Sequence, residues 1–268
     1  MIDFEVAADG VAVLTLNDPA NRNAWSPALE QEFYATLEAA DADPSVRVVI
    51  LTGAGKTFCP GAAGSRLDVI AETGISYADR VPFSRTLAFR KPLIAAINGG
   101  CAGVGFIQAM MCDVRFAAAT AKLTTAFARR GLPAEHAISW LLPRLVGLEN
   151  AIDLLLSGRV VTAAAAKELG LVSRVVEPDQ LLDAAREYAH DIATHCGPHA
   201  TALIKRQVLV DLDSSYRDAL DRAVAATEAA SRTPEFREGV DAFLHKREPR
   251  FADLPADRTA DGDARRAK

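Results

Sequence analysis

Apolar positions along the chain fall into two rhythms. Short unbroken runs closed by turn residues, "VAVLTLND" (11–18), "VRVVILTG" (46–53) and "LIAAIN" (93–98), predict buried strands. "DVRFAAA" (113–119) alternates like a further strand, and "LVSRVVE" (171–177) gives another short one. Between the first two runs, Leu29, Phe33 and Leu37 recur four apart, which places them on one face of a helix. Ser26 as cap and Pro27 at the first helical position mark where that helix starts. Gly105–Cys112 predicts a short apolar helix, and "ENAIDLLLSG" and "TAAAAKELG" predict helices closed by Gly158 and Gly170. Strands alternating with helices predict an α/β core.

From about Gln180 the pattern is helical only. "PDQLLDAAREYAHDIATHC" stops at Gly197-Pro198, "ATALIKRQVLVDL" follows, and an amphipathic stretch runs from Tyr216 to Ala230. These changes divide the chain into a core (1–197), a C-terminal helical region (198–255) and a polar tail (256–268). Helices that follow an α/β core pack on their own chain or on a neighbouring copy. "PLIAAINGGCAGVGFIQAMMC" (92–112) has the length and neutrality of a membrane span. Its Asn98, Gln108 and glycines at 99–105 predict instead a strand, a glycine turn and a helix in the core.

Composition narrows the class. Half of the 268 residues are apolar, enough for a sizeable core, and the net charge of −5 comes with no basic stripe. A nucleic-acid partner is therefore not expected. The four cysteines form no C-x-x-C pair, which fits unpaired, mostly buried thiols in a reducing compartment. "MIDFEVAADG" has no basic then apolar leader and "RRAK" is no peroxisomal address, so a cytoplasmic location is the expectation.

"GAGKTFCPGAAGS" (53–65) carries the first candidate chemistry. A phosphate-cradling loop needs a glycine five positions before Gly55, where Ile50 stands, and Pro60 interrupts any helix launched from Thr57. A nucleotide site is not expected. His190, His195 and His199 beside Cys196 resemble a ligand cluster, but Gly197-Pro198 breaks the common face and a surface cluster is favoured, with no metal. No G-x-S-x-G elbow is present. Two glycine-rich elements remain, "GAGKTFCPGAAG" and "INGGCAGVGFIQAMMCD", each following a buried strand. The second feeds a helix, so N–H groups near Val104 and Gly105 lie at a positive dipole end. Two such amides aimed at one oxygen make an oxyanion hole; two tight turns that merely pack the core account for the spacing equally well.

Five stretches carry a family resemblance: "NRNAWS" (21–26), "VRVVILTGAGKTFCPGA" (46–62), "KPLIAAINGGCAGVGFIQAMMCDVRFA" (91–117), "SWLLPRLVG" (139–147) and "FREGVDAFLHKREPRF" (236–251). Over nearly its whole length the sequence resembles the crotonase superfamily, the enoyl-CoA hydratases/isomerases. The resemblance implies a spiral of β-β-α units with a C-terminal helical trimerisation region, as homotrimers or paired trimers forming homohexamers. It implies an acyl-CoA thioester as substrate, with no permanently bound cofactor and no membrane partner. The thioester oxygen is expected on the backbone amides of Ala62 and Val104, where valine replaces the more usual glycine. Arg22 and Ala24 are expected to line the CoA site, Ala62, Ala63, Gly64 and Ser65 to lie near the pantetheine, and Lys246 to meet a phosphate.

The sequence departs from the family at the acids. The two hydratase glutamates are replaced by Ile107 and Phe127, which line the pocket but neither hold nor deprotonate a water. Glu135, in "GLPAEHAISW", matches the position of an acid in several family isomerases. A double-bond shift needs only one group that removes a proton and returns it. Apolar neighbours are expected to raise the Glu135 pKa towards a useful range. The alternative is that Glu135 merely complements the dipole of the next helix from its first turn. His136 is a second candidate acid/base. Double-bond isomerisation is thus expected over hydration; thioester hydrolysis and non-catalytic acyl-CoA binding are the other readings.

Overall fold

The apolar runs become neighbouring strands of one sheet in the computed structural model, which describes residues 1–76 and 81–256. Six strands lie in the order β1 (Ile2–Val6), β2 (Val11–Leu16), β3 (Val48–Gly53), β5 (Leu93–Ile97), β7 (Val114–Ala118) and β10 (Arg174–Val176). β1 runs antiparallel to β2, and the remaining pairs are parallel. Every residue of β3 and β5 is buried, as expected for inner parallel strands covered on both faces. A second sheet orders β4 (Thr57–Cys59), β6 (Gly100–Ala102), β8 (Lys122–Thr124) and β9 (Val161–Thr162). Each of β3, β5 and β7 is followed at once by a strand of this second sheet, so the chain climbs as a spiral.

Helix α1 (Pro27–Ala42) starts as its sequence dictates, with the Ser26 hydroxyl accepting from the Leu29 N–H at 3.1 Å. Leu29, Phe33 and Leu37 are all buried. α2 (Gly64–Thr73) buries nothing, and α3 (Arg85–Ala88) is a single turn. α4 (Val104–Met111) is buried at every position. The apolar stretch 92–112 is thus β5, β6 and α4, and no described helix is long and apolar enough to cross a membrane.

α5 (Ile138–Val146) and α6 (Leu148–Ser157) form a hairpin, and α6 ends at left-handed Gly158. After α7 (Ala163–Glu168), α8 (Leu181–His195) lays Leu181, Ala185, Ala189 and Ala193 against β2, β3, β5 and β7. Their four-residue spacing and small size let the helix approach the sheet closely. α9 (Pro198–Asp211), α10 (Tyr216–Ala230) and α11 (Pro234–His245) complete the chain. They bury little, yet Lys205 pairs with Asp113 at 2.8 Å, and Arg47 donates to the Phe251 carbonyl and pairs with Asp253. Arg144 stacks on Trp140 and pairs with Asp213, which fastens α5 to the α9–α10 turn.

One sequence expectation needs adjusting. β7 does not alternate: its last three residues are buried together, because the strand sits between β5 and β10. The second sheet was not anticipated, since strands of two or three residues carry no readable period. Of the tail predicted at 256–268, all but Ala256 lies outside the described residues.

Candidate active site

The turn Gly53–Thr57 is a structural corner. A Cβ on Gly53 would come within 2.4 Å of the Thr57 carbonyl oxygen, and one on Gly99 within 2.0 Å of the Lys56 carbonyl oxygen. The two strand ends nest only because both residues are glycine. Asn98 accepts from the Gly53 N–H and donates to the Gly53 and Gly55 carbonyls. Buried Asn23 donates to the Ala54 and Thr57 carbonyls. The Gly53 N–H and the carbonyls of Gly53, Ala54, Gly55 and Thr57 are thus engaged in holding the corner, and Lys56 is exposed.

The amide-bearing turns lie one step further along each strand. Trp25 bridges Ala62 in parallel fashion: its N–H donates to the Gly61 carbonyl at 2.7 Å and its carbonyl accepts from Ala63 at 3.3 Å. Ala62 is the residue between those two bonds, so its own N–H faces away from Trp25. Gly61 has φ +98° and Gly103 φ +52°. A Cβ on Gly61 would meet the Ala102 oxygen at 3.1 Å and the Gly103 Cα at 3.6 Å. The residues just before Ala62 and Val104 are therefore in contact. Gly105 fixes the depth of α4, because a Cβ there would lie 2.2 Å from the Cys59 oxygen. Val104 opens α4, so its N–H belongs to the unpaired first turn at the positive end of the helix. Two backbone donors beside a helix N-terminus can stabilise negative charge on one carbonyl oxygen.

Around these turns the wall is apolar and tightly packed. Ile107 is fully buried one turn along α4, and Phe127 is buried just before the 3-10 turn Ala128–Arg130. Beside Ile107, the Thr86 hydroxyl donates to Gln108 Oε1 at 2.7 Å and Gln108 Nε2 donates to the Tyr34 hydroxyl at 2.9 Å. Tyr34, Trp25 and Phe83 form an aromatic cluster, and the His136 ring stacks on Phe83 with centroids 3.6 Å apart. Contact therefore runs from Ala62 through Trp25 and Phe83 to His136, the residue after Glu135. Glu135 is half-buried and does not sit in the first turn of α5. It precedes that helix and its carbonyl accepts from the Ile138 N–H at 3.0 Å. His136 and Ala137 both have positive φ, 50° and 58°, an uncommon conformation for non-glycine residues.

The other expected contacts are more dispersed. Arg22 is exposed in a left-handed turn (φ 57°), and Ala24 is half-buried beside the Trp25–Ala62 bridge. Ala63 caps α2, with Gly64 and Ser65 exposed in its first turn. Lys246 is exposed past the end of α11, where Arg247 binds Glu238 and Asp241. His190 pairs with Asp9 and His195 with Asp191, and no group of described residues is arranged to hold a metal. Burial pushes the Cys59 thiol up to about 12, so it is uncharged at neutral pH and a poor nucleophile. Sequence reasoning missed Glu30 and Arg66, a largely buried ion pair at 3.1 Å beside Trp25. An acid next to core positions Leu29 and Phe33 was the single available signal.

Comparison with known proteins bears on this geometry. The family model Enoyl-CoA hydratase/isomerase matches residues 7–254. A 1,2-epoxyphenylacetyl-CoA isomerase from Escherichia coli K12 is 34% identical, across 90% of this chain and 95% of its own. A crystal structure of an enoyl-CoA hydratase from Mycobacterium marinum is 51% identical, with a TM-score of 0.67 over 77% of this chain and 96% of its own. An enoyl-CoA hydratase from Bacillus anthracis, 33% identical, superposes with a TM-score of 0.84 over 94% of this chain and 98% of its own.

Proposed function

The chain belongs to the enoyl-CoA hydratase/isomerase family and is an acyl-CoA enzyme with the crotonase fold, and from that premise we propose that it shifts a double bond rather than adding water. The reading is supported by the contact of Gly61 with Ala102 and Gly103, which brings together the residues before Ala62 and Val104, and by the buried apolar side chains of Ile107 and Phe127. The thioester oxygen of a 3-enoyl-CoA accepts from both N–H groups. Glu135, as carboxylate, removes a proton from C2, and the electrons move into a dienolate whose oxygen the two amides and the α4 dipole stabilise. Protonated Glu135 then returns the proton to C4, which leaves the double bond between C2 and C3. Hydration would need groups that hold and activate a water; Ile107 and Phe127, both buried and apolar, offer neither. The CoA thioester is substrate rather than resident cofactor, and the location is read as cytoplasmic.

The assembly is read as a homotrimer or homohexamer. Phe236, Val240 and Phe243 on α11 and Leu203 on α9 are exposed and line a groove of about 960 Å³, and Leu244, Ile204 and Val208 on the same helices are exposed as well. Faces of that kind mark contact surfaces.

Turnover of 2-enoyl- and 3-enoyl-CoA substrates tests the chemistry. Wild type is expected to convert 3-enoyl to 2-enoyl faster than it hydrates 2-enoyl. Glu135→Gln is expected to lower isomerisation about 10²- to 10⁴-fold, the usual weight of one acid/base group. Hydration as the main reaction, untouched by Glu135→Gln, would contradict the reading. Substrate binding without turnover of either class would instead identify a binding protein.

A further inference from the structure

We propose that Glu30 and Arg66 are positioning residues that hold the Ala62 donor in place. The inference rests on the oxyanion reading above. Ala62 sits between two supports. On one side Trp25 bonds Gly61 and Ala63 through its backbone. On the other, α2 begins at once, and its first bonds, Arg66 N–H and Leu67 N–H to the Ala63 carbonyl, are 3.0 and 3.1 Å long.

α2 has little hold of its own on the core. It buries no residue, Ala63 gives it no side-chain cap, and the space around Gly64 is open. A single Glu30 oxygen compensates for this. Glu30 Oε2 accepts from the Trp25 indole N–H at 2.9 Å and from the Arg66 guanidinium at 3.1 Å. One carboxylate thus ties the strand side and the helix side of the amide-bearing turn together. The Glu30 and Arg66 side chains are only 9% and 14% exposed. Breaking a pair so withdrawn from water is costly, so the tie across the turn resists opening. Since an oxyanion donor must meet its oxygen within a few tenths of an ångström, a slack turn should weaken catalysis before it weakens CoA binding.

The test uses Arg66→Gln, Glu30→Gln and the double variant in the full chain. Arg66 packs at the edge of the core rather than within it, so its replacement leaves the core intact. The probe is a 4-(dimethylamino)cinnamoyl thioester of CoA, whose absorption moves to longer wavelength as its carbonyl is polarised. Wild type is expected to shift the bound probe. The single variants should bind it with a smaller shift, and kcat for 3-enoyl-CoA should fall about 10- to 100-fold with KM changed by less than about threefold. Arg66→Lys should recover part of the loss. The double variant should lose no more kcat than either single variant, because both changes break the same tie across the turn.

An unchanged probe shift and kcat in Arg66→Gln, with only the melting temperature lowered, would overturn the proposal and leave the oxyanion reading standing. A wild-type enzyme that binds the probe with no shift would overturn both.

Discussion

The two halves of the site are built differently. The donor half consists of backbone, locked where glycines of separate strands touch: Gly53 against Thr57, Gly99 against Lys56, Gly61 against Gly103 and Gly105 against Cys59. The half proposed to carry the acid, Glu135-His136, precedes α5 where His136 and Ala137 are left-handed, and is held by the ring stack of His136 on Phe83. The donor half cannot change without breaking the sheets that carry it. The proposed acid half depends on side chains, which can exchange without disturbing the sheets. On the proposed reading, backbone stabilises the thioester oxygen, while a few side chains select what happens next.

This contrast is broken most severely at Gly105. Gly105→Ala puts a methyl 2.2 Å from the Cys59 carbonyl oxygen, inside a packed α4. Urea unfolding should show a loss of about 3 kcal/mol or more. Gly64→Ala is the matched control, since nothing lies within 4 Å of its Cβ position and its φ is not positive. It should shift stability by less than about 0.5 kcal/mol. If Gly105→Ala behaves like the control, the donor half is not glycine-locked.

A second, smaller effect concerns the frame behind the site. Lys91 is buried at the far end of α1, where its Nζ donates to the Ala40 and Asp43 carbonyls. Burial lowers its pKa from 10.5 to about 8, against the opposing pull of Asp41. The unfolded chain then holds a proton between pH 8 and 10.5 that the folded chain has released. The Lys91 contribution to stability should therefore rise across that window, by at most about 3 kcal/mol, and the cost of burying the charge is fully present below it. The buried Cys59, Cys101 and Cys112 thiols, raised by burial, pull the other way above pH 9, so the quantity to read is the difference between wild type and Lys91→Met in thermal melts. A difference that does not move in favour of wild type as pH rises from 8 to 10.5 would contradict the placement of Lys91.

The donor half was the more legible in the sequence, for the same physical reason. Strands β2, β3 and β5 are uninterrupted apolar runs, and Ser26-Pro27 announces α1. The glycine clusters were visible too, but which amides they align depends on Gly61 meeting Gly103 across sequence, and spacing alone left that open. β1 was missed because "IDFEV" is a half-exposed antiparallel edge strand with two acids. α5 was hard to place from its residues, since Pro143 lies inside it and two non-glycine residues with positive φ precede it. Glu30 and Arg66 lie 36 positions apart, and nothing local links them.

The central claim is that the Ala62 and Val104 amides share one thioester oxygen while Glu135 faces the carbons that exchange a proton. A crystal structure with a slowly turned-over 3-enoyl-CoA analogue tests it most directly. The carbonyl oxygen should lie about 2.7–3.1 Å from both backbone nitrogens, with the Glu135 carboxylate over C2 and C4. A carbonyl oxygen bound elsewhere, or a Glu135 turned away from the acyl chain, would contradict the account.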